Sequence, residues 1–471
     1  MTNEIQKLPL KEKIGYGFGD LASCLFWQTI TFYLLFFYTD VFGLTAKAAG
    51  IMFFVSRISD AIFDVVVGMV ADRTKSRWGK FRPYLLWVAV PLAVSAVLAF
   101  STPGFGETGK VIYAYVTFIL FMFLYSAINI PYTSLLGVIS GDPVERADAA
   151  TSKFIGAYLA GIIVSATALP FAKYFGAGNA GKGWQITLGI YGVAAVVFFL
   201  ITFVSTHERI QPIAKEKTSI KNDLTDLTKN VPWMLLFIVT ILFILFVCIR
   251  LSVTAHYFKY YVGEQEVTLF GKTHKYGFEV LASAFNTVGQ LLSLLGVATV
   301  PLCARLLGRK RATIILFISA LICTGAFYFF KPNNLLLIFV FQILGSVVGG
   351  PISALLWIMY ADTADYSEWK TGRRATGLVF SASIMSNKLG WAVGSMIAGA
   401  ILAATGFVPN VVQNMDVQNG LKAMMSVIPT AIGVVALILL FFYKLDETTM
   451  KQVKSELDER RKASGEAVAP A

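Results

Sequence analysis

Charge is scarce in this chain. Of its 471 residues only 14% are Asp, Glu, Lys or Arg, against 56% in the hydrophobic set, and the mean hydropathy is +0.66. An ordinary soluble domain, with about 25% charged residues, is excluded, and a polytopic membrane protein is expected. Histidine is scarcer still: His207, His256 and His274 lie far apart. The four cysteines, Cys24, Cys248, Cys303 and Cys323, fall in or beside apolar runs without paired spacing. Neither a zinc set, a disulfide framework nor a convergent nucleophile and base is legible, which argues against an enzyme and against a resident cofactor. The cysteines read as small membrane-buried hydrophobes. No sizeable soluble output segment is present, which weighs against a membrane sensor. The opening MTNEIQKLPLKEK lacks the pattern of a cleaved signal peptide, so the first apolar run is expected to stay as a helix. The net charge of +12 is spread over short loops rather than one basic, aromatic-interleaved surface. Nucleic acid is therefore not an expected partner; the lipid bilayer is.

What the chain does have is long apolar runs. Taking about 20 residues per span, twelve fit, at roughly 16–38, 46–71, 84–101, 111–136, 154–173, 185–205, 233–258, 279–304, 312–330, 334–360, 376–404 and 424–443. The expected fold class is all-α, twelve transmembrane helices in two pseudo-symmetric six-helix bundles. Placing both termini in the cytoplasm puts most Lys and Arg on that side, including Arg73 to Arg82 after span 2 and Arg305 to Arg311 after span 8. These two clusters occupy corresponding places in the halves, a weak sign of duplication with a site between bundles at mid-membrane. The boundaries read 1–206 for the first bundle, 207–231 for a cytoplasmic loop, 232–443 for the second bundle and 444–471 for a cytoplasmic tail. The protein is expected in the cell membrane as a monomer. The connection at 259–278 reads as a solvated loop or a cover over the pore mouth.

Charges inside spans are costly, about 2.5 to 3.5 kcal/mol each on insertion scales. Span 2 nevertheless carries Arg57, Asp60 and Asp64, which helical spacing brings to one face. One Arg cannot neutralise two carboxylates, so a further cation is expected there: a side chain, a proton or a metal ion. Lys388, near the middle of span 11 in a stripe with Ser381 and Ser395, is the candidate side chain from the other half. A mobile cation competing with Lys388 would couple ion binding to helix arrangement. Span 1 offers Asp20, which reads as a cap, a gate or a ligand, and deeper Trp27 and Gln28, which read either as interhelical packing or as a surface for a sugar. Span 4 sets Tyr125 and Asn129 one turn apart, with Pro131 expected to kink the helix. Such neutral hydrogen-bonding groups beside aromatic surface suit a sugar. Lys153 at the start of span 5 reads as a snorkelling side chain or a ligand. Arg250 in span 7 has no evident partner, and His256 lies close enough to the end of that span to be unremarkable.

With these residues in hand the chain resembles the glycoside-pentoside-hexuronide:cation symporters, the melibiose-permease branch of the major facilitator superfamily. The resemblance runs through nearly the whole chain and is carried by Tyr16 to Asp20, by Asp60-Ala-Ile-Phe-Asp64 with Gly68 and Arg73 to Pro83, by Asn129-Ile-Pro-Tyr132, and by Ala361 to Lys370 leading to Lys388. It implies a sugar symporter working by alternating access. Asp60 and Asp64 would bind the coupling cation, and would be its metal ligands if that cation is Na+. Asp20, Trp27, Gln28, Tyr125, Asn129, Lys153 and Lys388 are the candidate sugar-site residues, and the resemblance assigns Asp362, Asp365 and Arg374 to a cytoplasmic gate. The chain departs from the melibiose permease and its family in five places. Phe63 stands where that permease has Asn between the carboxylates, Cys24 and Asn129 replace carboxylates that bind galactoside, and Thr133 replaces an aromatic. Lys153 stands where a family Arg contacts sugar, losing the two-pronged fork. Fewer sodium ligands give H+ coupling more weight beside Na+, and a more positive pocket admits an acidic sugar as well as a neutral pentoside or glucoside. The competing transporter reading is a cation-coupled carrier of lysolipids or other amphiphiles.

Overall fold

In lipid every backbone amide must be satisfied within its own segment, so each long apolar run is driven into a helix. The computed structural model describes residues 7–140, 142–209, 230–269, 272–371 and 376–463. In chain order the first elements are α1 (Leu10–Phe36, extended by a π-helical turn Phe37–Val41), α2 (Ala46–Arg73), α3 (Arg82–Trp87), α4 (Ala89–Ala99), α5 (Glu107–Ile139), α6 (Pro143–Gly176) and α7 (Ala180–Ser205). There follow α8 (Val231–Tyr257, extended by a second π-helical turn Phe258–Val262), a hairpin of β1 (Gln265–Leu269) and β2 (Lys272–Tyr276), α9 (Phe278–Ala298), α10 (Val300–Leu307) and α11 (Arg309–Gly325). The rest comprises α12 (Leu335–Thr371), α13 (Thr376–Ala404), α14 (Met415–Met425), α15 (Val427–Phe441) and α16 (Glu447–Ala463).

Among the described residues nine rods are long and apolar enough to cross a membrane. Adding α2, the broken rod α3 and α4, and α13 reproduces the twelve spans read from the sequence. Three rods break, at Val88, Thr299 and Ser426, each two or three residues before a proline, Pro91, Pro301 and Pro429. A proline has no N–H to close the turn before it. Pro131 does not break its helix, because α5 continues through it for 33 residues. The connection at 259–278, read as a solvated loop or a cover, carries an antiparallel hairpin, registered from Gln265 opposite Tyr276 to Leu269 opposite Lys272.

By packing, the chain divides into two compact units. The first comprises 1–214, 251–290 and 395–421. In it α1 lies against α6 and α7, α2 against α5, and α4 against α5 and α7. The contact of α1 with α6 is backbone on backbone: a Cβ on Gly156 would stand 2.3 Å from the Gly17 carbonyl oxygen, and one on Gly17 would stand 2.6 Å from that of Ser152. Small residues permit such close approach in a membrane, where packing rather than the hydrophobic effect holds helices together. The basic loop after α2 is tied down by Glu208, whose carboxylate accepts the N–H groups of Lys80, Phe81 and Arg82 at 2.7 to 2.9 Å.

The second unit comprises 215–250, 291–394 and 422–471. Here α11 lies against α12 and α15, and α16 lies along α12. Its core gathers Trp233, Phe243, Phe246, Phe317, Tyr360 and Tyr443.

Candidate transport site

In the first unit, α1, α2, α5 and α6 bring most of the predicted residues together. Asp60 is 3% exposed and accepts a hydrogen bond of 2.8 Å from Ser126 Oγ on α5. Arg57 Nη1 stands 4.0 Å from the other Asp60 oxygen. Its guanidinium lies instead over the indole of Trp27, 4.3 Å from the ring centroid. Trp27 in turn stacks on Tyr125, centroids 5.5 Å apart and planes 26° from parallel. Arg57 and Tyr125 thus both lie against the indole of Trp27, and Asp60 stands beside Arg57. Asp64 follows one turn later and is half-buried. Phe63 between the carboxylates packs edge-on against Phe123 at 5.1 Å, so its place in the sequence puts an aromatic contact where an Asn would offer oxygen.

Further along α1, Asp20 is buried rather than water-facing. Lys153 Nζ from α6 lies 3.9 Å from it and donates to Thr133 Oγ1 at 3.4 Å. Lys153 thus turns to a carboxylate of this unit instead of snorkelling away. Next to it α1 and α5 are tied together: Tyr16 and Tyr132 stack at 4.8 Å, Tyr132 OH donates to the Tyr16 carbonyl at 2.8 Å, and Tyr16 OH donates to the Tyr132 carbonyl at 3.3 Å. A Cβ on Gly19 would collide with the Tyr132 ring at 2.3 Å, which accounts for the second glycine of the Tyr16 to Asp20 segment. Gln28 lies where the side chains of two helices converge over Gly161, whose Cβ would meet Gln28 Nε2 at 3.4 Å and Gln290 Oε1 at 3.0 Å. Asn129, one turn beyond Tyr125, is half-buried.

The remaining predicted residues belong to the second unit. Lys388 is half-buried on α13, next to Asn387, whose amide donates to the Ser383 carbonyl at 3.2 Å. Asp362 is buried and paired with Arg309, which also holds Glu447 of α16 at 2.9 Å. Asp365, one turn later on α12, is half-buried. Arg374 lies outside the described residues. Arg250 donates to Thr324 Oγ1 at 3.2 Å and Gln342 Oε1 at 3.4 Å, and lies over the Phe327 ring at 5.0 Å. Its charge is accommodated by neutral groups as well as by position. Among the described residues no group of three His, Cys, Asp or Glu could hold a metal ion.

One cluster escaped the sequence reading. At the far end of α1, Asp40 accepts from Lys259 Nζ at 2.8 Å and from the Tyr260 hydroxyl, and sits 3.2 Å from His256 Nε2. Asn410 joins it, donating to the Asp40 carbonyl at 2.8 Å and accepting from Lys259 at 2.6 Å. His256 is fully buried and also within 2.9 Å of Thr39 Oγ1, so it is far from incidental. The only hint in the sequence was that polar residues end both span 1 and span 7, where contact with water is the simpler reading.

Comparison with known proteins identifies the family and the fold. The family model described as MFS/sugar transport protein matches residues 15–447. The chain is 36% identical over 453 residues to the isoprimeverose transporter of Lactiplantibacillus pentosus, covering 95% of this chain and 91% of that protein. It is 29% identical over 467 residues to the glucuronide carrier protein homolog of Escherichia coli, covering 98% of each. Among solved structures, the nucleoside transporter NupG superposes with a TM-score of 0.60 at 15% identity, over 92% of this chain and 98% of that one. That likeness establishes the major facilitator fold, and the relatives are transporters rather than enzymes. The chain is a multi-pass membrane protein and belongs to the MFS/sugar transport protein family.

Proposed function

We propose that the protein is a proton-coupled symporter of a small glycoside or pentoside, working by alternating access with Asp60 and Asp64 as the coupling site. The observation that carries this reading is that Arg57 and Tyr125 both lie against the indole of Trp27, with Asp60 beside Arg57. A sugar presents an apolar CH face and a rim of hydroxyls. The indole and phenol suit the face, and Asp20, Lys153, Gln28 and Asn129 suit the rim. A cation arriving at Asp60 changes the charge beside Arg57, and so the platform on which the sugar would lie. That supplies a coupling free energy between the two ligands.

The choice of ion follows from the donors. Asp60, Asp64 and Ser126 supply oxygens, but Phe63 supplies none, and a hard metal cation requires a shell of oxygens whereas a proton requires one carboxylate. The absence of a two-pronged Arg at position 153 favours a neutral sugar over a uronide, because bidentate pairing is what an Arg adds for a carboxylate. The kinship with an isoprimeverose transporter points the same way.

The boundaries 1–206, 207–231, 232–443 and 444–471, with both termini in the cytoplasm, complete the reading, with the protein acting as a monomer in the cell membrane. Lys388 serves as the internal cation that the travelling one displaces. Asp362, Asp365 and Arg374 serve the cytoplasmic gate, with Arg309 and Glu447 added to it on the strength of their pairing with Asp362. The test is uptake of a labelled sugar panel by vesicles with and without sodium and an uncoupler. Accumulation of a neutral pentoside that ignores sodium and collapses with the uncoupler is expected. Strict dependence on sodium overturns the proton assignment, and no accumulation of any sugar overturns the function.

A further inference from the structure

Beside the Asp40 cluster, at the end of the first unit away from Asp20, lies a cavity of about 230 Å3. Its walls are the rings of Phe36, Trp184 and Phe278, and its polar groups come as two opposed pairs. Lys259 meets Asp40 at 2.8 Å on one side, and Lys173 meets Glu279 at 3.1 Å on the other. The formal charges cancel, so the cavity has no appetite for an ion. It does keep hydrogen-bonding capacity: the Glu279 side chain is 15% exposed and meets Lys173 through Oε1, while Oε2 is packed away over Gly277, 2.7 Å from where a Cβ there would stand.

We propose that this cavity is a second, outward sugar subsite, which takes one neutral monosaccharide ring before it reaches the site at Trp27. The ligand class rests on the sugar-transport reading above; the place rests on the cavity alone. Aromatic walls accept the CH face of a pyranose. Glu279 Oε1 accepts a hydroxyl proton beside Lys173, and the lysines and Asn410 donate to hydroxyl oxygens. Drug-sized ligands occupy about 300 to 1,000 Å3, so a single ring fits here and a disaccharide does not.

The experiment introduces a cysteine at Ala180, an exposed residue of the cavity wall, in the full-length protein with its native cysteines kept. Methyl β-D-xyloside is the probe, and maleimide alkylation at position 180 is followed by peptide mass spectrometry. At a probe concentration about twice its Kd, alkylation slows by 1 + [L]/Kd, about threefold. This protection is expected both in Ala180→Cys alone and in combination with Trp27→Ala, and is lost with Glu279→Gln. Loss of protection with Trp27→Ala would mean that the probe acts from the other site through a conformational change, and overturns the proposal. So does protection that survives Glu279→Gln. Uptake by the Ala180→Cys protein separates the two readings. Transport of the xyloside without protection removes the subsite only, whereas neither transport nor protection removes both.

Discussion

Two aspartates of the first unit, twenty residues apart, are treated in opposite ways. Asp40 is clamped by Lys259 at 2.8 Å, with His256, Tyr260 and Asn410 closed around it. Asp60 receives a hydroxyl from Ser126, while the nearby guanidinium of Arg57 stands off at 4.0 Å and spends its flat face on Trp27. Both carboxylates are buried and would be costly without compensation. The first arrangement fixes the chain, tying the end of α1 to the ends of two distant segments. The second sets the arginine's flat face over an aromatic ring, with the carboxylate held by a serine hydroxyl and the guanidinium at the limit of ion-pair distance. On the proposed reading, the geometry of the countercharge rather than burial alone marks the working carboxylate.

The largest effect expected from breaking this contrast is at the clamp. Asp40→Asn leaves Lys259 and His256 without their carboxylate and should cost about 3 to 5 kcal/mol, the range for one partner removed from a buried pair. Thermal unfolding of the purified protein reads it, and an unchanged midpoint would dissolve the distinction. Asp60→Asn should leave that midpoint nearly in place but lower sugar accumulation in vesicles about a hundredfold, equivalent to about 2.7 kcal/mol. Trp27→Ala removes the ring against which Arg57 and Tyr125 lie; KM should rise about tenfold, or about 1.4 kcal/mol, with the unfolding midpoint held. A loss of stability without a change in KM would make Trp27 a packing residue.

The smallest effect concerns a third carboxylate outside the spans. Hydrogen bonding to Arg309 holds the carboxyl of Glu447 below its usual range. A depressed carboxylate contributes attachment that is complete above its ordinary value and fades as pH falls through the lowered one. Docking of α16 should accordingly hold through mildly acid pH and loosen only below it. Amide exchange across 447–463, corrected for intrinsic rates, measures this, and loosening already near neutrality would contradict it.

The fold and the family were legible because lipid makes helices obligatory and because Asp60, Asp64 and Lys388 interrupt runs that otherwise carry little charge. The interruptions at Val88, Thr299 and Ser426 follow prolines that could be seen, but Pro131 shows that a proline alone does not decide where a helix ends. Charge was visible at Arg250 while its neighbours Thr324, Gln342 and Phe327 were not, since neutral residues announce nothing about whom they serve. The same holds for Ser126, whose hydroxyl reaches Asp60, and for Gln290 beside Gln28. The Asp40 cluster was missed for a different reason. Its members stand at span ends, where water satisfies polar groups cheaply, and only the folded chain shows that water does not reach His256.

The glycine crossing of α1 and α6 sets a limit on how such a protein can change its diet. Asp20 and Trp27 ride on one of these helices and Lys153 on the other, and their spacing is dictated by main chain touching main chain at Gly17 and Gly156. No neighbouring side chain can be trimmed to bring the two rods closer, and none can be enlarged there without prising them apart. On the proposed reading, new sugar preferences must be cut from the reach of the side chains themselves. The 3.9 Å gap between Lys153 and Asp20 is then the adjustable dimension, one that Lys153→Arg would refill without moving either helix.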